Sequence, residues 1–234
     1  RCVDPVTNFE SIGCPMYLYD DNHLNDIEYL LNKDVLFEKI PYMIAQSLTG
    51  DYDEGNSYNW AQWKSFNEDM ILGLYIRKMN IEDMKPETCY QDKLDGNLAL
   101  LCAEIEAHPE TQFKISIPPY SMLWWDNIYR NGETESYLYN MEQAMKKLLA
   151  YENVELYYFL NDREIVTNLD NYMDLLHFSP EINQYICDSM IRNDHKVTEA
   201  NCHEIIEDSR SLAYQAVNEL IKPYEDRIKV DIYD

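Results

Sequence analysis

The spacing of apolar residues changes along this chain, and each change marks an element. Residues 1–63 are irregular and rich in Asp, Asn, Tyr and Gly. Helices are expected there around Asp26–Leu31 and Val35–Leu48, with a loop over Gly50–Ser57. From Asp92, a candidate N-cap, Leu94, Leu98, Leu101, Cys102 and Ile105 recur at helical spacing until His108-Pro109 ends the run. Phe113–Ile117 then alternates and is rich in β-branched residues. It predicts a strand that Pro118-Pro119 must stop, because proline cannot extend a hydrogen-bonded ladder.

Beyond a loop holding Trp124 and Trp125, a helix is expected over Glu135–Tyr151, with Leu138, Met141, Met145, Leu148 and Leu149 on one face. Asn153 breaks it, and the run Val154–Leu160, apolar but for Glu155, predicts a strand buried on both sides. A polar loop, Asn168–Ser179, follows Ile165–Thr167. It leads into a helix over Pro180–Arg192, with proline in its first turn, and a last helix over Glu199–Ile221. Helix, strand, helix, strand, helix is the order of an α/β chain whose mostly parallel sheet is flanked by helices. The reading divides the chain into an irregular or helical part, 1–91, and a regular α/β part, 92–234.

Length and charge narrow the functions open to the chain. Its 234 residues suffice for one ordinary α/β domain. With 19 Lys and Arg against 43 Asp and Glu, the formal charge is −24, which repels nucleic acid and anionic membranes and leaves cations, sugars or neutral polymers as partners. The same balance also serves plain solubility. No apolar run is long enough to span a bilayer. The first residue is Arg rather than Met, which predicts a processed protein or a piece of a longer one.

The six cysteines form no C-x-x-C pair, so neither a zinc ribbon nor a thioredoxin-type site is written here. Cys102 and Cys187 lie on apolar helical faces and are expected to be buried thiols. Cys2 and Cys14 are spaced to close a short loop in an oxidising compartment. Asp51 and Asp53 suggest a calcium loop, but Gly55 comes one place early and Gln62 stands where a bidentate Glu is required. His23, His108, His195 and His203 lack partners at metal-ligand spacing, so they are read as structural or surface residues and no metal or cofactor is expected.

In open α/β sheets, reactive groups gather beyond the C-terminal ends of the strands. One such loop carries Pro118, Pro119, Tyr120, Ser121, Trp124 and Trp125; the other carries Asp162, Asn168, Asp170, Asn171, Asp174, His177 and Ser179. An Asp three residues before a His on a short turn can bond the imidazole Nδ1 and leave Nε2 as a base. Alternatively, the two side chains simply satisfy backbone groups near a helix start. Ser121 is weighed as a nucleophile and, preferentially, as a loop hydrogen-bonding or substrate-contacting residue. Tyr120, Trp124 and Trp125 are candidates for contacting an acyl or sugar group.

The run from Tyr158-Phe159-Leu160-Asn161-Asp162 through Asp174-Leu175-Leu176-His177-Phe178-Ser179-Pro180 resembles the terminal D-x-x-H block of the SGNH/GDSL hydrolases, most of all their bacterial cell-envelope branch. Ile117-Pro118-Pro119-Tyr120-Ser121 resembles that branch's central block, and the likeness covers roughly residues 90–195. It implies a three-layer sandwich, incomplete at its N-terminus, with Asp174 and His177 as two members of a Ser-His-Asp triad. The activity implied is that of an extracytoplasmic serine esterase or O-acyltransferase acting on a cell-envelope glycan or polymer. The family's Gly-Asp-Ser and Gly-x-Asn-Asp blocks are not found, and Ser11 has the wrong neighbours, so the nucleophile is expected outside this chain. The other reading is a non-catalytic binding or scaffold module for a glycan or protein partner.

Overall fold

A computed structural model describes residues 22, 24, 31, 33–49, 61 and 63–231. The chain divides into two units, with the described residues up to 61 in one and those from 63 onward in the other. In the first unit a wide turn, Val35–Lys39, runs into α1, Ile40–Thr49, matching the helix expected at Val35–Leu48. The Asp51/Asp53 loop, Cys2, Cys14 and His23, and most of the helix expected over Asp26–Leu31, lie outside the described residues.

The larger unit is mixed α/β. It contains α2 (Glu68–Leu74), β1 (Ile76–Lys78), α3 (Gln91–Ala107), β2 (Phe113–Ile117), α4 (Met122–Arg130), α5 (Thr134–Leu149) and β3 (Val154–Tyr158). After these come α6 (Arg163–Val166), α7 (Pro180–Arg192), β4 (Lys196–Val197), α8 (Cys202–Gln215) and β5 (Lys229–Asp231). Its strands form two small sheets rather than one broad one. β1 pairs in parallel with β5, while β2, β3 and β4 lie side by side, with β2 parallel and β4 antiparallel to β3. The unit begins well before residue 92, because α2 and β1 pack within it.

β3 explains its own apolar run. Val154, Leu156 and Tyr158 enter the main core with Leu138, Met145, Ile206 and Leu212, whereas Tyr157 and Phe159 pack with Ile186 of α7. A strand covered on both faces needs apolar residues at consecutive positions. At the sheet's polar margin, Glu155 takes Lys196 at 2.7 Å and Lys114 at 3.2 Å. Those two lysines hold its carboxyl at about 2. The pairing puts opposite charges directly across neighbouring strands.

Four local expectations are corrected. Trp124 and Trp125 stand in helix α4, not in a loop. That helix buries Met122, Leu123, Trp124, Trp125, Asp126 and Ile128, so most of its circumference is covered, and its nine residues are too short a window for apolar spacing to separate helix from loop. Asp92 does not cap α3; Tyr90 stands at the cap position, and Asp92 lies in the first turn. Cys187 is exposed, because the buried stripe of α7 runs through Ile186 and Ser189 and Cys187 falls about 100° away from Ile186. Leu101 sits at the exposed edge of the Leu94, Cys102 and Ile105 stripe.

The two-stranded sheet is tied to α4 through one buried carboxylate. Asp126 accepts from Arg77 Nε at 2.8 Å and Nη2 at 3.0 Å, from Tyr75 Oη at 2.8 Å and from Arg130 Nε at 3.2 Å. Arg77 also reaches Glu225, in the 3-10 turn just before β5, at 3.1 Å. Burial and the Asp126 charge push the Tyr75 phenol well above its ordinary range, so it remains a donor. Asp126→Asn leaves two guanidinium groups short of a counter-charge in the interior. A loss on the order of 3 kcal/mol is expected in urea unfolding, and a loss below about 1 kcal/mol would show that solvent already screens the cluster.

Candidate functional site

Parallel pairing of β2 with β3 sends both strands out at the same edge, so the loops following them are neighbours. Two contacts fasten them. The Leu175 carbonyl accepts both the Ser121 backbone N–H and the Ser121 hydroxyl, each at 3.1 Å. The buried Tyr172 hydroxyl donates to the Pro119 carbonyl at 2.8 Å. The second loop is closed at its base, where Ser179 N–H donates to the Asn171 carbonyl and Met173 N–H to the His177 carbonyl. Residues 174–177 form the tip of that closed turn.

Asp174 and His177 meet there as expected. His177 Nδ1 lies 2.8 Å from Asp174 Oδ1 and 3.0 Å from Oδ2. An ionised carboxylate only accepts, so the proton of that contact sits on Nδ1 and Nε2 is the lone-pair nitrogen of the neutral ring. The backbone role weighed as the alternative is filled as well, because Oδ1 accepts the N–H groups of Leu176 at 3.1 Å and His177 at 3.0 Å. The imidazole is 43% exposed and its carboxylate partner 21%.

A third group bonds the pair. Lys64 Nζ lies 2.6 Å from Asp174 Oδ2, with only 11% of its side chain exposed. Partial burial opposes ionisation of Asp174. The Lys64 ammonium, the two backbone N–H groups and the imidazole outweigh it and hold the carboxyl at about 2. Lys64 is separated from Asp174 by 110 positions, so no local spacing reveals it. A small cavity of about 160 Å³ also touches Asp174 and Leu175, walled by Ile71, Leu74, Tyr75, Ile76 and Asn127.

The other expected contact residues divide. Ser121 is fully buried and its hydroxyl is committed to Leu175, which fits loop bonding and not attack on a substrate. Tyr120 is half-buried, its ring 5.1 Å from that of Trp124. Trp124 and Trp125 are 9% and 0% exposed and pack edge-on against each other and Tyr137, so neither offers a stacking face to a sugar. The remaining loop residues hold the scaffold. Asp162 caps α6 and accepts from Tyr185 Oη at 2.9 Å, Asn168 bonds Asp170 N–H, and Asp170 accepts the Glu68 N–H.

The other described histidines have structural partners. His195 lies 2.8 Å from Tyr185 Oη and stacks on Phe159, His203 pairs with Glu142, and His108 lies between Glu104 and Glu110. Among the described residues, no three His, Cys, Asp or Glu side chains converge as a metal site, and no helix is long and apolar enough to cross a membrane.

The depressed carboxyl of Asp174 makes a pH-dependent contribution to stability. Its folded value, about 2, lies below the ordinary carboxylate value near 3.9, so the contribution is complete above about pH 5 and fades as the pH falls towards 2. Asp174→Asn is therefore expected to cost on the order of 2 kcal/mol at neutral pH and progressively less in acid, as read from urea unfolding at a series of pH values. A penalty that stays constant from pH 6 to pH 3 contradicts this assignment. No family model, curated protein or solved structure matches this chain, so the site rests on its own geometry.

Proposed function

We propose that this chain carries the acid–base half of a Ser-His-Asp site in a serine esterase or O-acyltransferase of SGNH-like architecture. The observation that carries the reading is the His177 Nδ1 contact to Asp174 at 2.8 Å, on a turn beyond the C-terminal edge of two parallel strands. The nucleophilic hydroxyl comes from a serine outside this chain. The substrate class is an acylated cell-envelope glycan or polymer, met outside the cytoplasm. A net charge of −24 is compatible with a neutral or cationic polymer and disfavours nucleic acid.

In this reading His177 Nε2 takes the serine proton as the oxygen attacks the ester carbonyl. Asp174 steadies the imidazolium without itself accepting the proton. Collapse of the tetrahedral adduct breaks the ester C–O bond, and the imidazolium returns its proton to the departing alkoxide. Water then releases the acid, or a sugar hydroxyl takes the acyl group, by the same steps in reverse. The serine at the β2 edge is unsuited to the first step, since Ser121 is buried against Leu175. That burial is also what favours the second reading, a binding or scaffold module that keeps the Asp174–His177 turn for its shape.

Acetyl-ester turnover by the full-length natural protein separates the two. His177→Ala and Asp174→Asn are each expected to lower kcat by about 10³-fold or more, while Ser121→Ala stays within about threefold. Turnover unchanged by His177→Ala rejects the enzyme and leaves the module.

A further inference from the structure

Asp174 uses its two oxygens differently. Oδ1 is fixed by the turn itself, through the N–H groups of Leu176 and His177, and it faces the imidazole. Among the described residues Oδ2 receives no backbone bond; its partners there are the imidazole at 3.0 Å and the Lys64 ammonium at 2.6 Å. A carboxylate anchored at one oxygen can still rock about its Cβ–Cγ bond, and rocking lengthens the contact to a ring nitrogen. One anchored at both oxygens cannot. We propose that Lys64 is a positioning residue of the Asp174–His177 pair, pinning the carboxylate oxygen that the turn leaves unheld so that the imidazole keeps a fixed orientation.

Three further observations support the assignment. Lys64 and Asp174 are 11% and 21% exposed, so the pair is less screened than a surface ion pair, whose contribution is usually small. The Nζ–Oδ2 distance is at the short end for a charge-assisted bond. Lys64 comes from a segment that is itself anchored nearby. Three residues on, Asn67 caps α2, and Glu68 N–H donates to Asp170 in the same loop as Asp174. The side chains bonded to Asp174 among the described residues are Lys64 and His177. Because Lys64 also balances the carboxylate charge, Asp174 stays ionised and remains an acceptor for Nδ1–H.

The catalytic use of this arrangement rests on the esterase reading, but the positioning role can be tested without it. In nitrogen-edited proton spectra, the His177 Nδ1–H should exchange with water about tenfold faster in Lys64→Met than in the unaltered protein, and at the original rate in Lys64→Arg. The backbone N–H groups of Leu176 and His177, held by Oδ1, should keep their protection. Unchanged Nδ1–H exchange in Lys64→Met overturns the proposal, as does equal loosening of the backbone groups, which would make Lys64 a staple of the loop. The unaltered protein supplies a check that needs no variant. The Lys64 ammonium should give its own slowed-exchange resonance at neutral pH, and its absence overturns the proposal too.

In the full-length protein, Lys64→Met should lower kcat for the ester about tenfold with KM unchanged, and Lys64→Arg should restore it. If no form turns over ester while Nδ1–H exchange changes as expected, the esterase reading falls and Lys64 keeps its role. If turnover is normal in Lys64→Met and exchange is unmoved, Lys64 loses its role and the esterase reading stands.

Discussion

One carbonyl oxygen, that of Leu175, makes two strand-end loops into a single structure. Parallel strands deliver their following loops to the same edge, but nothing in strand pairing alone fixes how those loops meet. Here Ser121 places both its N–H and its hydroxyl on Leu175, and Tyr172 returns a bond to Pro119. Ser121 also opens α4, whose buried Leu123 and Trp125 belong to the main core. The Asp174–His177 turn is therefore braced against the best-packed part of the molecule, and its geometry follows from core packing rather than from the loop's own preferences.

The scarcity of cations gives the charge pattern its meaning. With 43 carboxylates and only 19 Lys and Arg, most acidic groups have no basic neighbour to spend. Several buried or half-buried carboxylates are nonetheless paired with cations, while Asp162 is held instead by the Tyr185 hydroxyl and the start of α6. Asp126 holds Arg77 and Arg130, Glu155 holds Lys114 and Lys196, and Asp174 holds Lys64. Apart from Asp126–Arg130, which lies within α4, each pair joins segments far apart in sequence or strands side by side. An unpaired carboxylate in such a place would lose solvation without recompense, and the fold directs its few cations to those positions.

Much of this was legible in the sequence where local physics decides the outcome. Phe113–Ile117 is a strand because alternation and a double proline bound it, and Pro180–Arg192 is a helix because proline starts it and its apolar stripe is regular. The Asp174–His177 contact followed from a three-residue spacing on a turn. What stayed hidden depends on tertiary partners. α4 is only nine residues long and follows the double proline closely, too short a window for its apolar spacing to be told from that of a loop. Ile76–Lys78 and Lys229–Asp231 are each three residues long and are strands only because they pair with each other. Trp124 and Trp125, attractive as ring platforms in an exposed loop, are core residues once the segment is helical. Lys64 reaches Asp174 only through the folded chain.

The account depends on a carboxylate dictating which nitrogen of one imidazole carries the proton. The most direct measurement is a two-dimensional proton–nitrogen correlation of the His177 ring, assigned by comparison with His177→Gln and recorded where the ring is neutral. The account predicts a protonated Nδ1 and an unprotonated Nε2. A proton found on Nε2, with Nδ1 bare beside Asp174, contradicts it.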